Sequence, residues 1–229
     1  MTIVAGTRFG PYEIRAAAAV TGLGELYAAR DHDQQRDVAF RVLRVDVAAT
    51  PGRLARFERE SHAAARLEHP NLLRIYDIGT DAEAAYVVSE PIAGRTLDDL
   101  LRSGPLPPAT VSRYMVDLAS GLAAAHSHGI VHRDLTPANI LVTAEGVARI
   151  VGLGLASATQ RASVLADGHP LGALSYMTPE QIQGATVGPH SDMFAFGAIA
   201  YEMLTGTRAF GGGTLETISA VTAVQIGRG

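Results

Sequence analysis

The chain has 229 residues, a net charge of −4, 47% hydrophobic residues and no cysteine, which suits one large domain or two small lobes and excludes a disulfide scaffold, an iron–sulfur protein and a thiol nucleophile. An acidic balance without a basic stripe leaves no electrostatic footprint for nucleic acid. No apolar run approaches the ~20 residues that cross a bilayer, and the N-terminus lacks a basic stretch followed by an apolar one, so a soluble cytoplasmic protein without a membrane segment is expected.

The first ninety residues read as strands around one helix. Tyr12 to Val20, Glu25 to Arg30 and Asp37 to Arg44 are short β-permissive runs separated by Gly- or Asp-rich turns. From Pro51 to Leu67 the apolar spacing turns helical, with Leu54, Phe57, Ser61, Ala64 and Leu67 on one face. His69-Pro70-Asn71 stops that helix, because the residue before proline is pushed out of the α region. Leu72 to Ile78 and Ala85 to Glu90 follow as strands.

Beyond Pro91 and Gly94 the character becomes helical. Thr96 to Arg102 reads as a short helix, and Pro107-Pro108 open a long one with Val111, Met115, Leu118, Leu122 and Ala125 at its apolar positions. Ile140 to Val142 and Val147 to Val151 are two short strands, and Ser157 to Gly172 is an exposed loop. Ser191 to Leu204 and Leu215 to Val224 complete the helices. The expected organisation is α+β: a small β-rich lobe over residues 1–90, a hinge at 91–94 and a larger helical lobe over 95–229.

The string most informative about chemistry is Val131-His132-Arg133-Asp134-Leu135-Thr136-Pro137-Ala138-Asn139. It lies between a long helix and a short strand, where a loop is held from both ends. An Asp five residues before an Asn suits a site that accepts a hydroxyl proton and coordinates a metal beside phosphates. Here the chain resembles the eukaryotic-like Ser/Thr protein kinases of bacteria. The likeness extends to Phe9-Gly10-Pro11-Tyr12-Glu13-Ile14, to Val38-Ala39-Phe40-Arg41, to Arg56-Phe57-Glu58-Arg59-Glu60, to Met177-Thr178-Pro179-Glu180 and to Ser191-Asp192-Met193 with Tyr201 to Gly206.

The resemblance implies a protein-kinase-like fold and assigns roles. Asp134 and Asn139 would be the proton acceptor and a metal ligand, and Arg41 with Glu60 the pair that positions phosphates. Gly22, Gly24, Ala39, Arg41, Glu90, Ile92 and Leu141 would line the nucleotide. Several positions depart from the family pattern. Thr21 is β-branched in a turn that normally lets backbone approach phosphate. Arg41 stands for a lysine, and a planar guanidinium does not replace a compact ammonium at a fitted site. Thr136 replaces the catalytic-loop lysine and Ala173 a threonine. The chain has 19 basic Lys+Arg residues and every one is arginine, so drift in composition accounts for Arg41 and Thr136 but not for Thr21, Gly152 or Ala173.

The heaviest departure is Val151-Gly152-Leu153-Gly154, where the family has Asp-Phe-Gly. The missing Asp is the principal Mg²⁺ ligand, and losing one such electrostatic element costs about 10²–10³ in rate. Asn139 keeps the metal position without its charged companion. The expectation is a pseudokinase that binds ATP weakly or not at all, with Mg²⁺ doubtful, and signals through a protein partner. The alternatives are a slow Ser/Thr kinase with a protein substrate and an interaction module that binds no nucleotide. The last helices of the family's larger lobe have no match after Val224, so this lobe is expected to be short, either by truncation or to leave surface for a partner.

Three further patterns yield blander readings. Gly152-x-Gly154-x-x-Ser157 mimics a dinucleotide fingerprint, but a polar loop follows where a helix is required. His126, His128 and His132 have ligand-like spacing without a carboxylate or thiolate to complete a zinc set. Thr159, Ser163 and Ser175 lie near Arg133 and are candidates for phosphorylation, or simply solvated hydroxyls.

Overall fold

A computed structural model describes residues 3–21, 24–43, 51–81, 84–91, 93–155, 171–211 and 214–223. Chain contacts divide it into two compact units, the chain passing from one to the other between Ala93 and Gly94. The stretch from Gly152 to Leu155, which the sequence reading placed in the second lobe, groups with the first unit. Its anchor there is a hydrogen bond from buried Ser61 Oγ to the Gly154 carbonyl, 3.1 Å.

The first unit holds β1 (Arg8–Phe9), β2 (Tyr12–Thr21), β3 (Gly24–Asp31), β4 (Arg36–Val42), α1 (Pro51–Ala65), β5 (Ile75–Asp81) and β6 (Ala84–Ser89). The strands form one sheet in the order β1-β2-β3-β4-β6-β5, antiparallel throughout. Side chains alternate across a strand, so Val38 and Phe40 of β4 fall on one face and join Tyr12, Ile14, Tyr27, Ala29 and Val88 in a buried cluster. Phe40 stacks on Tyr86 at 4.7 Å between ring centroids. Helix α1 buries Phe57, Ser61 and Ala64, the stripe its spacing predicts.

The predicted strand from Leu72 starts three residues later. Leu72 N–H turns back to the His69 carbonyl at 3.1 Å and Asn71 N–H donates to His69 Nδ1 at 3.1 Å. A turn closed by its own hydrogen bonds competes with strand pairing there.

The second unit contains β7 (Gly94–Thr96), α2 (Leu97–Leu101), α3 (Pro108–Ser127), a 3₁₀ turn at Pro137–Asn139, β8 (Ile140–Thr143), β9 (Ala148–Ile150), α4 (Leu171–Leu174), α5 (Pro179–Ile182), α6 (Pro189–Thr205) and α7 (Thr214–Ala223). Strands β7, β8 and β9 form a small antiparallel sheet. Thr96 caps α2 by accepting the Asp99 N–H at 3.1 Å, so the predicted helix begins one residue later. On α3 the buried stripe is Val111, Tyr114, Leu118, Leu122 and Ala125; Tyr114 takes the inner place that spacing gave to Met115. Helix α6 packs on α3 and buries Ser191, Asp192, Ala195, Ala198, Ile199, Glu202 and Met203. No described helix is long and apolar enough to cross a membrane.

Candidate active site

In the second unit the segment His132–Asn139 is organised by a single buried carboxylate. Asp192, 1% exposed, sits in the first turn of α6. Its Oδ2 accepts the His132 N–H at 2.8 Å and its Oδ1 accepts the Arg133 N–H at 2.8 Å. His126 Nε2, from the last turn of α3, is 2.7 Å from the same Oδ2. Hydrogen bonds to an ionised acceptor are the strong ones, so two helices and one loop meet on this group. His126 thereby has a structural partner.

His132 is fully buried and fixes the next step of the chain. Its Nδ1 accepts the Asp134 N–H at 3.2 Å, which puts the ring proton on Nε2, 2.9 Å from the Val151 carbonyl. Asn139 Nδ2 donates to the Asp134 carbonyl at 2.8 Å and to Asp134 Oδ2 at 3.2 Å. Its own carbonyl accepts the Val151 N–H at 2.9 Å. Asp134 and Asn139 are therefore brought together, with Asn139 8% exposed on the 3₁₀ turn. Arg133 carries φ +64°, a left-handed backbone that is uncommon for a side-chain-bearing residue.

Gln181 supports that strained residue, and the sequence reading missed it. Its Nε2 donates to the Arg133 carbonyl at 2.6 Å, while its Oε1 accepts the Thr178 N–H at 3.0 Å. The Thr178 hydroxyl accepts the Gln181 N–H in return at 3.3 Å, a reciprocal cap on α5. The T-x-x-Q spacing of a capping box was the available signal. Thr136 and Ala173 line a small recess beside Asp134. Ser175 is 2% exposed, neither a solvated hydroxyl nor an accessible acceptor. Thr159 and Ser163 lie outside the described residues.

Glu180 accepts from Ser191 Oγ at 2.8 Å and lies 3.1 Å from His190 Nε2. Burial raises its pKa, but hydrogen bonds from the backbone, Ser191 and Thr178 and the charge of His190 outweigh it and leave the carboxyl below its usual value.

In the first unit Arg41 lies on β4 opposite Leu26, on the same face as Ala39 and Leu43. Its Nη1 donates to Thr21 Oγ1 at 2.6 Å. Burial pulls its guanidinium down to about 10. Glu60 forms an ion pair with Arg56 at 2.9 Å, one helical turn away, a neighbour that needs no long reach. Gly24 has φ +124°, and a Cβ there would fall 2.1 Å from the Val42 carbonyl oxygen. Close strand packing thus demands this glycine whether or not phosphate approaches it. Ala39 pairs with Ser89, Glu90 Oε1 accepts the Arg74 N–H at 2.8 Å, and Leu141, in the second unit, pairs with Thr96 and Arg149. Gly22 and Ile92 lie outside the described residues. Gly152 has φ +85°.

The protein kinase domain family matches residues 21–226. The chain belongs to that family. Among its relatives are the serine/threonine-protein kinase PknB of Mycobacterium leprae, 37% identical over 205 residues, covering 87% of this chain and 33% of the relative, and PrkC of Bacillus subtilis, 35% identical over 211 residues, covering 92% and 33%. PknL of Mycobacterium bovis is 37% identical over 209 residues, covering 91% and 52%. The chain thus spans a third to a half of the length of these relatives. The crystal structure of a point mutant of the Mycobacterium tuberculosis PknI kinase domain aligns with a TM-score of 0.76 and 25% identity, over 91% of this chain and 79% of that one. The family's α+β fold, with a β-sheet lobe and a helical lobe, is the fold of this chain.

Proposed function

We propose that this chain is a pseudokinase: a kinase-fold domain that has lost metal-dependent phosphoryl transfer and acts in signalling through weak nucleotide binding, through a protein partner, or through both. A cytoplasmic setting belongs to the same proposal. The observation that carries it is Gly152, at the position of the family's metal-binding Asp. The backbone there is left-handed, φ +85°, a region that Asp and Asn tolerate better than other side chains. What the glycine lacks is the carboxylate itself. Mg²⁺ is bound through one or two carboxylates together with substrate phosphates, and a lone Asn139 amide is a poor substitute. The residues present do not fit the metal.

A second reading is a slow, active Ser/Thr kinase acting on a protein substrate. The relatives, named as serine/threonine-protein kinases, fit this reading better than the impaired one. It also draws support from Asp134, the family's proton acceptor, being held through His132 and Asn139. One experiment separates the two. We expect no Mg²⁺-dependent ³²P transfer from ATP, to the chain itself or to a generic acceptor, above the level of Asp134→Asn. Transfer that Asp134→Asn abolishes would overturn the pseudokinase. If the remainder of the site is competent, Gly152→Asp raises transfer by about 10²–10³; no gain counts against the active reading.

A further inference from the structure

We propose that Thr21 sets the affinity of the first unit for metal-free polyphosphates, because its hydroxyl competes with a phosphate oxygen for the Arg41 guanidinium. The inference deepens the reading above and rests on its nucleotide-binding part. Arg41 is on β4 and Thr21 ends β2, with β3 between them; Leu26 of β3 pairs with Arg41 on one side and Ala19 on the other. The Arg41 side chain therefore reaches across a whole strand to place Nη1 2.6 Å from Thr21 Oγ1. The hydroxyl donates its own hydrogen bond to the Gly24 carbonyl at 3.1 Å. A hydroxyl has one proton, and this one is spent.

The chain Arg41–Thr21–Gly24 thus latches the two strand ends that flank the glycine-rich turn. Burial of Arg41 sharpens the competition. A cation short of water gains most from a good acceptor, and a phosphate oxygen is a stronger one than a neutral hydroxyl. A guanidinium also grips phosphate with two parallel bonds, but Nη1 is free to join only once Thr21 lets go. With no carboxylate at position 152 to bring a divalent cation, Arg41 supplies the neutralising charge itself. The ligand class is the diphosphate end of a nucleoside diphosphate, or inorganic pyrophosphate, without metal.

The test is calorimetric titration of the full chain with inorganic pyrophosphate and with ADP, both in EDTA. Thr21→Val, which keeps the β-branched shape and removes the hydroxyl, should bind about tenfold tighter than the parent. Thr21→Ser should bind like the parent, and Arg41→Met should lose binding. Unchanged or weaker binding by Thr21→Val overturns the proposal, as does binding by none of the proteins. If Thr21→Val does not fold, the guanidinium proton resonances of Arg41 in the parent decide: they shift on adding pyrophosphate, and their constancy overturns the proposal. None of these readouts measures phosphoryl transfer. An active domain can carry the latch and an inactive one can lack it, so the two readings fail separately.

Discussion

Gly24 stands at a glycine of the nucleotide-binding pattern and Gly152 at the place of its metal-binding Asp, and different physics explains the two. At Gly24 the neighbouring strand leaves no room, with a Cβ 2.1 Å from the Val42 carbonyl oxygen and φ +124°. At Gly152 φ is +85°, a region in which Asp and Asn are enriched among side-chain-bearing residues, and the glycine marks a chemical loss, that of the carboxylate. Gly24→Ala should therefore cost stability with no ligand present, about 2–4 kcal/mol, read as a drop of at least about 5 °C in Tm. An unchanged Tm would mean that this glycine serves only to admit phosphate. The sequence made the Gly152 loss legible, since one letter removes the carboxylate. It did not make the Gly24 reason legible, because the clash is with a strand 18 positions away. Nor did it reveal that Arg41 turns to Thr21, a choice set by which acceptor lies on the same sheet face.

At the scale of elements, the long periodic pieces were readable, and so were the short α2, β8 and β9, whereas α4 and α5 were not. The stripe of α1 and the Pro108 start of α3 follow from spacing and from proline's fixed φ, and both are where that reasoning put them. Helix α5 has only four residues, too few for any periodicity, and it went unseen. Its cap gives it a role out of proportion to its length. Gln181 closes the capping box and also holds the Arg133 carbonyl, so α5 supports the residue with φ +64° that precedes Asp134. Gln181→Ala should cost about 1–2 kcal/mol. Faster amide exchange should appear at His132 and Arg133 as well as in α5. If exchange rises in α5 alone, the bond to Arg133 is incidental to the loop. Gln181→Glu separates the parts further, since it keeps an oxygen acceptor for Thr178 and loses the donor to Arg133.

For the molecule as a whole, the ionisable groups that folding perturbs define a pH window. Glu13, held low mainly by its hydrogen bond with His32, Asp99, held low mainly by Thr96, and Glu180 all sit below their ordinary values. A depressed carboxyl adds stability that is present above its unfolded pKa and is lost as pH falls through the folded one. Tyr12 and Tyr176 are displaced the other way, first by burial and then by hydrogen bonds to Asp77 and Glu202. A raised tyrosine adds stability below its unfolded pKa of 10 and loses it as pH climbs further. Arg41 opposes that alkaline loss: with its pKa lowered to about 10 by burial, its burial weighs against folding at neutral pH and is relieved above about pH 10. Tyr27 and Tyr86 are raised as well, mainly by burial, and four raised tyrosines against one arginine leave the alkaline limb descending. Tm should be flat from about pH 6 to 9, fall below about pH 4.5 and fall again above pH 10. Tyr12→Phe removes the hydroxyl that must stay protonated, so it should lower the plateau through the lost bond to Asp77 while making the alkaline limb shallower. A limb of unchanged slope in Tyr12→Phe would assign the alkaline loss to other groups.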